Sequence, residues 1–526
     1  MKIPIGIDLG TTISVVAHVG DDGAVRVLPN GSGEPLTPSV VLFESPGKVV
    51  VGAEAKKAAP VHPDRVVSGI KREMGRDFTL SFDGADYRPE GISAIILRYL
   101  ASAAGAALGA VPGDIAAVVT VPAYFGTAER EATAAAARIA GLDALDLVAE
   151  PVAAALSYGV GSEDRGTVLV YDLGGGTFDA TIIELTQHEP RVVAVDGASR
   201  LGGLNFDERL GSLMLERYIA STADEDSAFD EKFVARMVAA AEDVKKKLSR
   251  TESATAAVAR EGFSARVLVT RVEFEETTAS LVGETIAVVD RVIAAAVALG
   301  VSRPVQVLLT GGSTRMPIIA STLKAHLRIP VRLSDPDTAV AKGAAIHAHA
   351  LVAQASAQPR QRLLAPSTAS RVLASAPVRS VVPRALGIKL HDSNDPSGQR
   401  IFVEHLIRAN TPLPVDGVTT TFATVVDGQD RVRIELMEQA GAVAAPEIQS
   451  NRRVLDGELT GLPEGLKAGS PIDVRLSVRT DGRIECIATE RSTKRLLKLE
   501  SYMDGVADGG EAEQQRRAID GLIVRG

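Results

Sequence analysis

The period of the apolar positions changes once along this chain, and the change divides it. Up to about residue 350, short apolar runs alternate with longer amphipathic, Ala-rich stretches. The runs predict strands and the stretches predict helices, as near Glu129–Ala140, Asp230–Arg250 and Gly283–Leu299. In the second of these, Phe233, Met237, Ala241, Val244 and Leu248 make one apolar stripe. Such alternation predicts an α/β architecture of sheets flanked by helices. From Gln354 to Ser380 the composition turns to Ala, Ser, Gln, Pro and Arg without periodicity, which predicts a linker. Period two takes over beyond it. Val432, Ile434 and Leu436 alternate with charges, as do Ile472, Val474, Leu476 and Val478, and Asp481-Gly482 predicts a hairpin turn before Ile484–Ala488. This pattern predicts a β-sandwich of roughly six to eight short strands. One short polar helix is expected within Gly509–Gly526. The boundaries read 1–352, 353–380, 381–501 and 502–526.

Three of the apolar runs end in small-residue turns: IPIGIDLGTT (Ile3–Thr12), TVLVYDLGGGT (Thr167–Thr177) and VQVLLTGGSTR (Val305–Arg315). After the first two, a second apolar run follows at once, so each predicts a hairpin with Asp-Leu-Gly, then Gly and Thr, at its tip. Turns without bulky side chains let backbone N–H groups and Thr hydroxyls converge on an anion. An aspartate at the strand end can hold a hydrated divalent cation beside that anion. Two such tips imply two related lobes closing on one polyphosphate. No GxxxxGK[ST] stretch is present, which excludes a P-loop.

Composition narrows the partners. With 45% hydrophobic and 23% charged residues, the 526-residue chain reads as globular, with length for several domains. A net charge of −9 disfavours a nucleic-acid or membrane-surface partner. Cys486 is the single cysteine, which excludes an internal disulfide and a cysteine-based metal site. The N-terminus enters a strand directly, so no signal peptide is expected. Charges such as Arg98, Asp290 and Arg291 interrupt the Ala-rich stretches, so no membrane span is expected either, and a reducing cytoplasm is the expected location.

The segments GIDLGTT (Gly6–Thr12), IKREMGRDF (Ile70–Phe78), TVPAYF (Thr120–Phe125), AEPVAAALSYG (Ala149–Gly159), YDLGGGTFD (Tyr171–Asp179) and TGGSTRMP (Thr310–Pro317) together resemble the DnaK-type heat-shock protein 70 family of molecular chaperones. The resemblance implies a two-lobed, actin-like α/β ATPase domain followed by an all-β sandwich that binds peptide. It implies ATP/ADP and Mg²⁺ as ligands. Asp8 and Asp172 would hold Mg²⁺, mostly through water. Gly10, Thr11, Thr12, Gly174, Gly175, Gly176 and Thr177 would donate to the phosphates, with Gly202 and Gly203 beside them. Lys71 is similar to the family's catalytic lysine, where a cation is needed because charge spreads over the γ-phosphoryl oxygens. Asp179 resembles a second carboxylate near the attacking water. Glu150 has two readings, a water-orienting carboxylate or an N-terminal helix charge favoured by the dipole. Glu242, Lys245, Lys246 and Ser249 would grip adenine and ribose, although a surface Glu–Lys pair explains the same spacing. Gly311, Gly312, Ser313, Arg315 and Asp337 would complete the nucleoside pocket.

The segments SVVPRALGI (Ser380–Ile388), LIRANTPLP (Leu406–Pro414), GELTGLP (Gly457–Pro463) and RTDGRIECIA (Arg479–Ala488) resemble the family's peptide-binding β-domain less closely. Phe402, Val403 and Leu436 are the candidates for its apolar cleft, with sandwich core as the other reading. Unfolded or extended polypeptides, a J-domain co-chaperone and a nucleotide exchange factor are the implied partners. The chain departs from the family pattern in five places, one of them Ile13, where a polar or aromatic residue is usual after DLGTT. APVRS (Ala376–Ser380) replaces a leucine run closed by an acid. Asp146 stands where the family has a cation that meets the J-domain. AEP replaces NEP, and no full helical lid is expected after the β-domain. The expected function is therefore an ATP-dependent chaperone that hydrolyses ATP to ADP and phosphate to regulate peptide binding. The rival is a non-chaperone or regulatory ATP-binding protein of the actin and sugar-kinase superfamily with weak turnover.

Overall fold

Two hairpins begin two sheets of the same design. In the computed structural model, which describes residues 2–159, 166–185, 190–333, 335–356, 380–392, 395, 399–441, 443–479, 482–500, 506 and 509–526, β1 (Ile3–Asp8), β2 (Ile13–Val19) and β3 (Val25–Leu28) form an antiparallel meander. A side sheet follows, built from β4 (Val40–Ser45), β5 (Lys48–Val51) and β6 (Val66–Ser68). Helix α1 (Pro89–Leu108) leads to β7 (Ile115–Val121), parallel to β1, and α2 (Thr127–Ile139) leads to β8 (Asp143–Ala149), parallel to β7. After α3 (Glu150–Gly159) the design repeats. A second meander, β9 (Gly166–Leu173), β10 (Phe178–Leu185) and β11 (Pro190–Ala198), is followed by α4 (Gly203–Thr222), α5 (Glu231–Leu248) and α6 (Arg271–Ala298). Then β12 (Gln306–Thr310) joins parallel to β9, and β13 (Val331–Leu333) parallel to β12. The spatial orders, β8-β7-β1-β2-β3 and β13-β12-β9-β10-β11, are the same arrangement twice.

Local chemistry explains the boundaries. Asp230 caps α5 by accepting from the Phe233 N–H, and the expected stripe from Phe233 to Leu248 is fully buried. Thr270 and Glu273 close a capping box at the start of α6. Strand β7 is buried along its whole length, because parallel strands reached by helical crossovers have both faces covered. Helix α7 (Ala339–Ser356) lies across β1 and α3. It can do so only because Gly6 and Gly343 lack side chains: a Cβ on Gly6 would run into the Ala345 backbone, and one on Gly343 into the Ala153 carbonyl. Length and apolarity make α1 a membrane-span candidate despite Arg98, but most of it is buried and supplies the first unit's core. Helix α7 runs past residue 352, so the expected linker begins later than its composition suggested. Residues 357–379, including most of APVRS, lie outside the described residues.

The C-terminal half follows its period-two pattern. Two four-stranded antiparallel sheets hold β14 (Leu386–His391), β15 (Ile401–Ile407), β16 (Val415–Ala423), β17 (Arg431–Gln439), β18 (Asn451–Thr460), β19 (Pro471–Val478), β20 (Ile484–Glu490) and β21 (Leu496–Glu500). Their orders are β15-β14-β17-β18 and β16-β19-β20-β21. Ile388, Ile434 and Leu436 from one sheet meet Ile472, Val474 and Leu476 from the other in one apolar core. Burial there pushes the Cys486 thiol up to about 12, which makes it an inert core residue. Of the expected hairpin turn, Asp481 lies outside the described residues, while Gly482 has a φ of 85° and donates its N–H to the Arg479 carbonyl at 3.0 Å. The expected polar helix is α8 (Gly509–Asp520). A strand not foreseen in the sequence, β22 (Ile523–Arg525), follows it and pairs parallel with β5.

Candidate functional site

The two hairpin tips face each other and touch. A Cβ on Gly175 would fall inside the Thr12 side chain, and one on Gly176 inside the Thr11 side chain. Gly202 packs against the Gly175–Gly176 backbone, where a Cβ would also collide. Only glycine permits this approach, and it leaves main-chain N–H groups with no side chain over them. The second tip is braced from behind. Gly174 donates to the Thr177 carbonyl at 3.1 Å, Gly203 to the Gly174 carbonyl at 2.9 Å and Leu204 to the Gly175 carbonyl at 2.8 Å. Ser313 Oγ also donates to the Gly174 carbonyl, at 2.9 Å, from the short turn that follows β12. Gly10 curls tightly onto Ile13. The third apolar run therefore joins the site through its turn, and Gly311, at φ 82°, passes against the Leu173 carbonyl.

Behind the tips lie four buried or nearly buried carboxylates and one lysine. Asp8 ends β1 and accepts a hydrogen bond from Thr120 Oγ1 at 3.1 Å. Asp172 and Asp179 face each other across the β9–β10 pair. Asp179 Oδ1 accepts the Tyr124 N–H at 2.8 Å. Glu150, the first residue of α3, pairs with Lys71 at 2.7 Å, and their side chains are 11% and 4% exposed. Lys71 is aimed inward by a short turn entered through Gly69, at φ 67°, and its Nζ lies 5.7 Å from the centre of the Phe125 ring. Burial, then the Glu150 charge, pushes Asp8 and Asp179 up to about 7 and Asp172 well above the usual carboxylate range, with Lys71 opposing in each case. One lysine does not balance this much acid, so the site favours an added cation. Among the described residues no three ligating side chains converge on one point. The donor set therefore suits a hydrated divalent ion held through water by Asp8 and Asp172.

That protonation has a measurable consequence. Carboxyls that titrate near 7 when folded and near 3.8 when unfolded favour the folded state at low pH. They lose that advantage as pH rises through about 7. A cation entering near neutrality must displace those protons. Mg²⁺-nucleotide binding at about pH 6.5 should therefore release protons, and its apparent affinity should rise with pH below 7. Calorimetry in buffers of different ionisation enthalpy measures the release; a proton count of zero would contradict the buried acid cluster.

The residues expected to hold the nucleoside divide. Lys245 is buried, paired with Asp207 at 2.8 Å and donating to the Gly203 carbonyl at 3.0 Å, so it braces the second tip. Glu242 accepts from Lys56 at 2.6 Å and from Lys246 at 2.6 Å. Burial opposes its ionisation, but these two lysines prevail and hold its pKa at about 2. Ser249 donates to the Lys245 carbonyl. Arg315 pairs with Asp337, which lies beside Gly312. Sequence reasoning missed the contacts that cross between the two units. Lys56 comes from the short helix Ala53–Ala58 in the first unit, and Arg72 donates to the Gly176 carbonyl at 3.0 Å and to Asn205 Oδ1 at 2.6 Å. Arg72 sits beside Lys71 in the same motif, the one sequence signal that marked it.

The sandwich is docked directly above this site. Tyr124, whose N–H holds Asp179, donates its hydroxyl to the Gly441 carbonyl at 3.2 Å, and its ring is covered by Arg384 at 4.5 Å. Glu438 accepts from the N–H and hydroxyl of Thr127, at 2.9 and 2.7 Å, at the start of α2. Arg452 bridges Glu438 and Glu129, at 2.8 Å to each. Of the peptide-cleft candidates, Leu436 is 0% exposed within the sandwich core, Val403 is 2% exposed, and Phe402 is half-buried. Leu390, Phe422 and Val432 are only partly covered.

Comparison of the sequence with known proteins gives the family. The family described as Hsp70 protein matches residues 4–516. The chain belongs to the Hsp70 protein family. Similar relatives include the chaperone protein DnaK of Thermotoga petrophila, 36% identical over 498 residues, which are 92% of this chain and 78% of the relative. DnaK of Thermotoga maritima matches to the same extent. DnaK of Thermosipho melanesiensis is 34% identical over 500 residues, covering 93% of this chain and 78% of its own. Nearly all the described elements of this Hsp70-family chain fall within the matched region.

Proposed function

We propose that this Hsp70-family chain is an ATP-dependent molecular chaperone whose two α/β units are the lobes of an actin-like ATPase and whose sandwich binds extended or unfolded polypeptide. The observation that carries the reading is the meeting of two acid-ended glycine tips over Lys71. ATP or ADP lies between the tips, with the phosphates on the backbone of Gly10–Thr12 and Gly174–Thr177, and with Gly202 and Gly203 beside them. Asp8 and Asp172 would hold hydrated Mg²⁺, which would neutralise phosphate charge. Lys71 turns from Glu150 to the γ-phosphoryl oxygens as negative charge spreads over them. Freed by that turn, Glu150 orients the attacking water together with Asp179 and Thr177. Gly311, Gly312, Ser313, Arg315 and Asp337 take the nucleoside, with Glu242, Lys246 and Ser249 on the opposite wall and Lys245 bracing the tip. Half-covered apolar side chains of the sandwich, among them Phe402, Leu390, Phe422 and Val432, take the peptide, and the protein works in the cytoplasm.

Phosphate release from purified protein, with and without Mg²⁺ and an unfolded polypeptide, tests the reading. Mg²⁺-dependent release stimulated by the polypeptide is expected; absence of release in every arm would favour a regulatory ATP-binding protein. Partner use follows from Asp146. Its carboxylate accepts from His347 Nε2 at 2.8 Å on α7 and from the Leu147 N–H, in the place where the family's cation meets the acidic loop of a J-domain. Like charges would then face each other. Stimulation by a generic J-protein should be weak, and Asp146→Arg should raise it severalfold; strong stimulation of the unmodified protein would sink the idea.

A further inference from the structure

Residues 509–526 leave the sandwich and fasten to the first unit. Helix α8 packs on α1 and α2, and its Ile519 is fully buried in their core. Gln515 reaches into a notch: its Nε2 donates to the Asp86 carbonyl at 2.8 Å, and its Oε1 accepts the Arg88 N–H at 3.3 Å. The notch exists because residue 91 is glycine; a Cβ there would collide with Gln515 Oε1. Arg98 donates to the Ile519 carbonyl at 3.0 Å and to Asp520 at 2.6 Å, closing the helix end. Strand β22 then extends the side sheet. Ile523, Val524 and Arg525 pair with Lys48, Val49 and Val50, Ile523 donates its N–H to the Gly47 carbonyl at 2.8 Å, and Arg525 pairs with Glu44. The segment covers the otherwise open edge of β5.

Each of the contacts just named is made with the first unit. The sandwich proper touches both units: Arg452 grips Glu129 on α2, while Asn410 Oδ1 accepts the Val195 N–H from β11 of the second unit at 2.8 Å. A change in the angle between the units must strain the second set of contacts and leaves the first untouched. We infer that residues 509–526 are an intramolecular latch that keeps the sandwich tethered to the first unit whichever nucleotide is bound, so that nucleotide loosens the sandwich without freeing it. The latch gives an intrinsic limit to coupling, set by Ile519, Gln515 and the β5–β22 pairing rather than by the phosphate site.

Hydrogen exchange on the full chain tests this. In the unmodified protein the amides of Val49–Val51 and Ile523–Arg525 should be protected to the same degree, within about twofold, in saturating ATP and in ADP. The Val195 amide, at the seam with the second unit, should change between the two. Ile519→Asp should raise exchange at β5 and β22 by about tenfold or more and should also raise it at Val195, because the tether is gone. Gln515→Ala, which removes two hydrogen bonds without placing a charge in the core, should raise the same amides by a smaller factor, and it stands in if Ile519→Asp does not fold. Free exchange at β22 in either nucleotide would overturn the latch. So would a large ATP–ADP difference there, or a Gln515→Ala protein indistinguishable from the parent. Phosphate release, measured on the same samples, reports separately on the ATPase.

Discussion

Lys71→Ala is expected to slow ATP hydrolysis by two orders of magnitude or more, about 3 kcal/mol of barrier. The Lys71 ammonium is held by Glu150 at 2.7 Å, 4% exposed, with Phe125 beside it. A buried cation with one carboxylate partner can exchange that partner for the charge that develops on a transferring phosphoryl group. Its worth is therefore greater in the transition state than in the ground state, and ATP affinity should change much less than rate. Loss of Lys71 also removes the cation that opposes the upward shift at Asp8, Asp172 and Asp179, so Asp8 and Asp179 should stay protonated to higher pH. Single-turnover phosphate release alongside equilibrium nucleotide binding separates the two effects. A variant that hydrolyses ATP at the parental rate would remove Lys71 from the mechanism.

The second large effect is expected at the seam. Arg452→Ala leaves Glu129 and Glu438 buried side by side, and removing one partner of a buried ion network typically costs about 3 to 5 kcal/mol. Arg384 stays within reach, at 3.7 Å from Glu129 and 3.9 Å from Glu438, but its guanidinium is already committed to the Tyr124 ring. Burial works against ionisation of Glu129, yet Arg384 and Arg452 together hold its carboxyl below the usual range. The sandwich should undock, and urea unfolding should split into two transitions. Arg433→Ala is the control, because its pair with Asp456 is exposed and contributes little. One unshifted transition for Arg452→Ala would show that the seam does not carry the docking.

Sequence reasoning reached furthest where one residue's role is local. The strand-ending Asp8 and Asp172, the glycine tips and the apolar stripe of α5 follow from period and turn chemistry, and each sits where that chemistry placed it. It fell short where the role depends on a distant partner. Nothing within Asp230–Arg250 says that Lys245 faces Asp207 on α4 while Glu242 meets Lys56 from the first unit. The same holds for Arg452, an ordinary charge on a strand until α2 is brought against it. Strict alternation placed Leu436 on an inward face, but alternation does not distinguish a sandwich core from a peptide cleft. The short strand β22 was invisible because its three residues acquire a strand conformation only by pairing with β5.

The central claim is that nucleotide regulates peptide binding, and fluorescence anisotropy of one labelled, apolar, extended peptide in saturating ATP and in ADP tests it most directly. The account predicts measurable binding in both states, with affinities that differ by more than twofold but by less than about tenfold, or 1.4 kcal/mol of coupling, because the latch limits how far the sandwich can move. Identical affinities in ATP and ADP, or no binding in either, would contradict it.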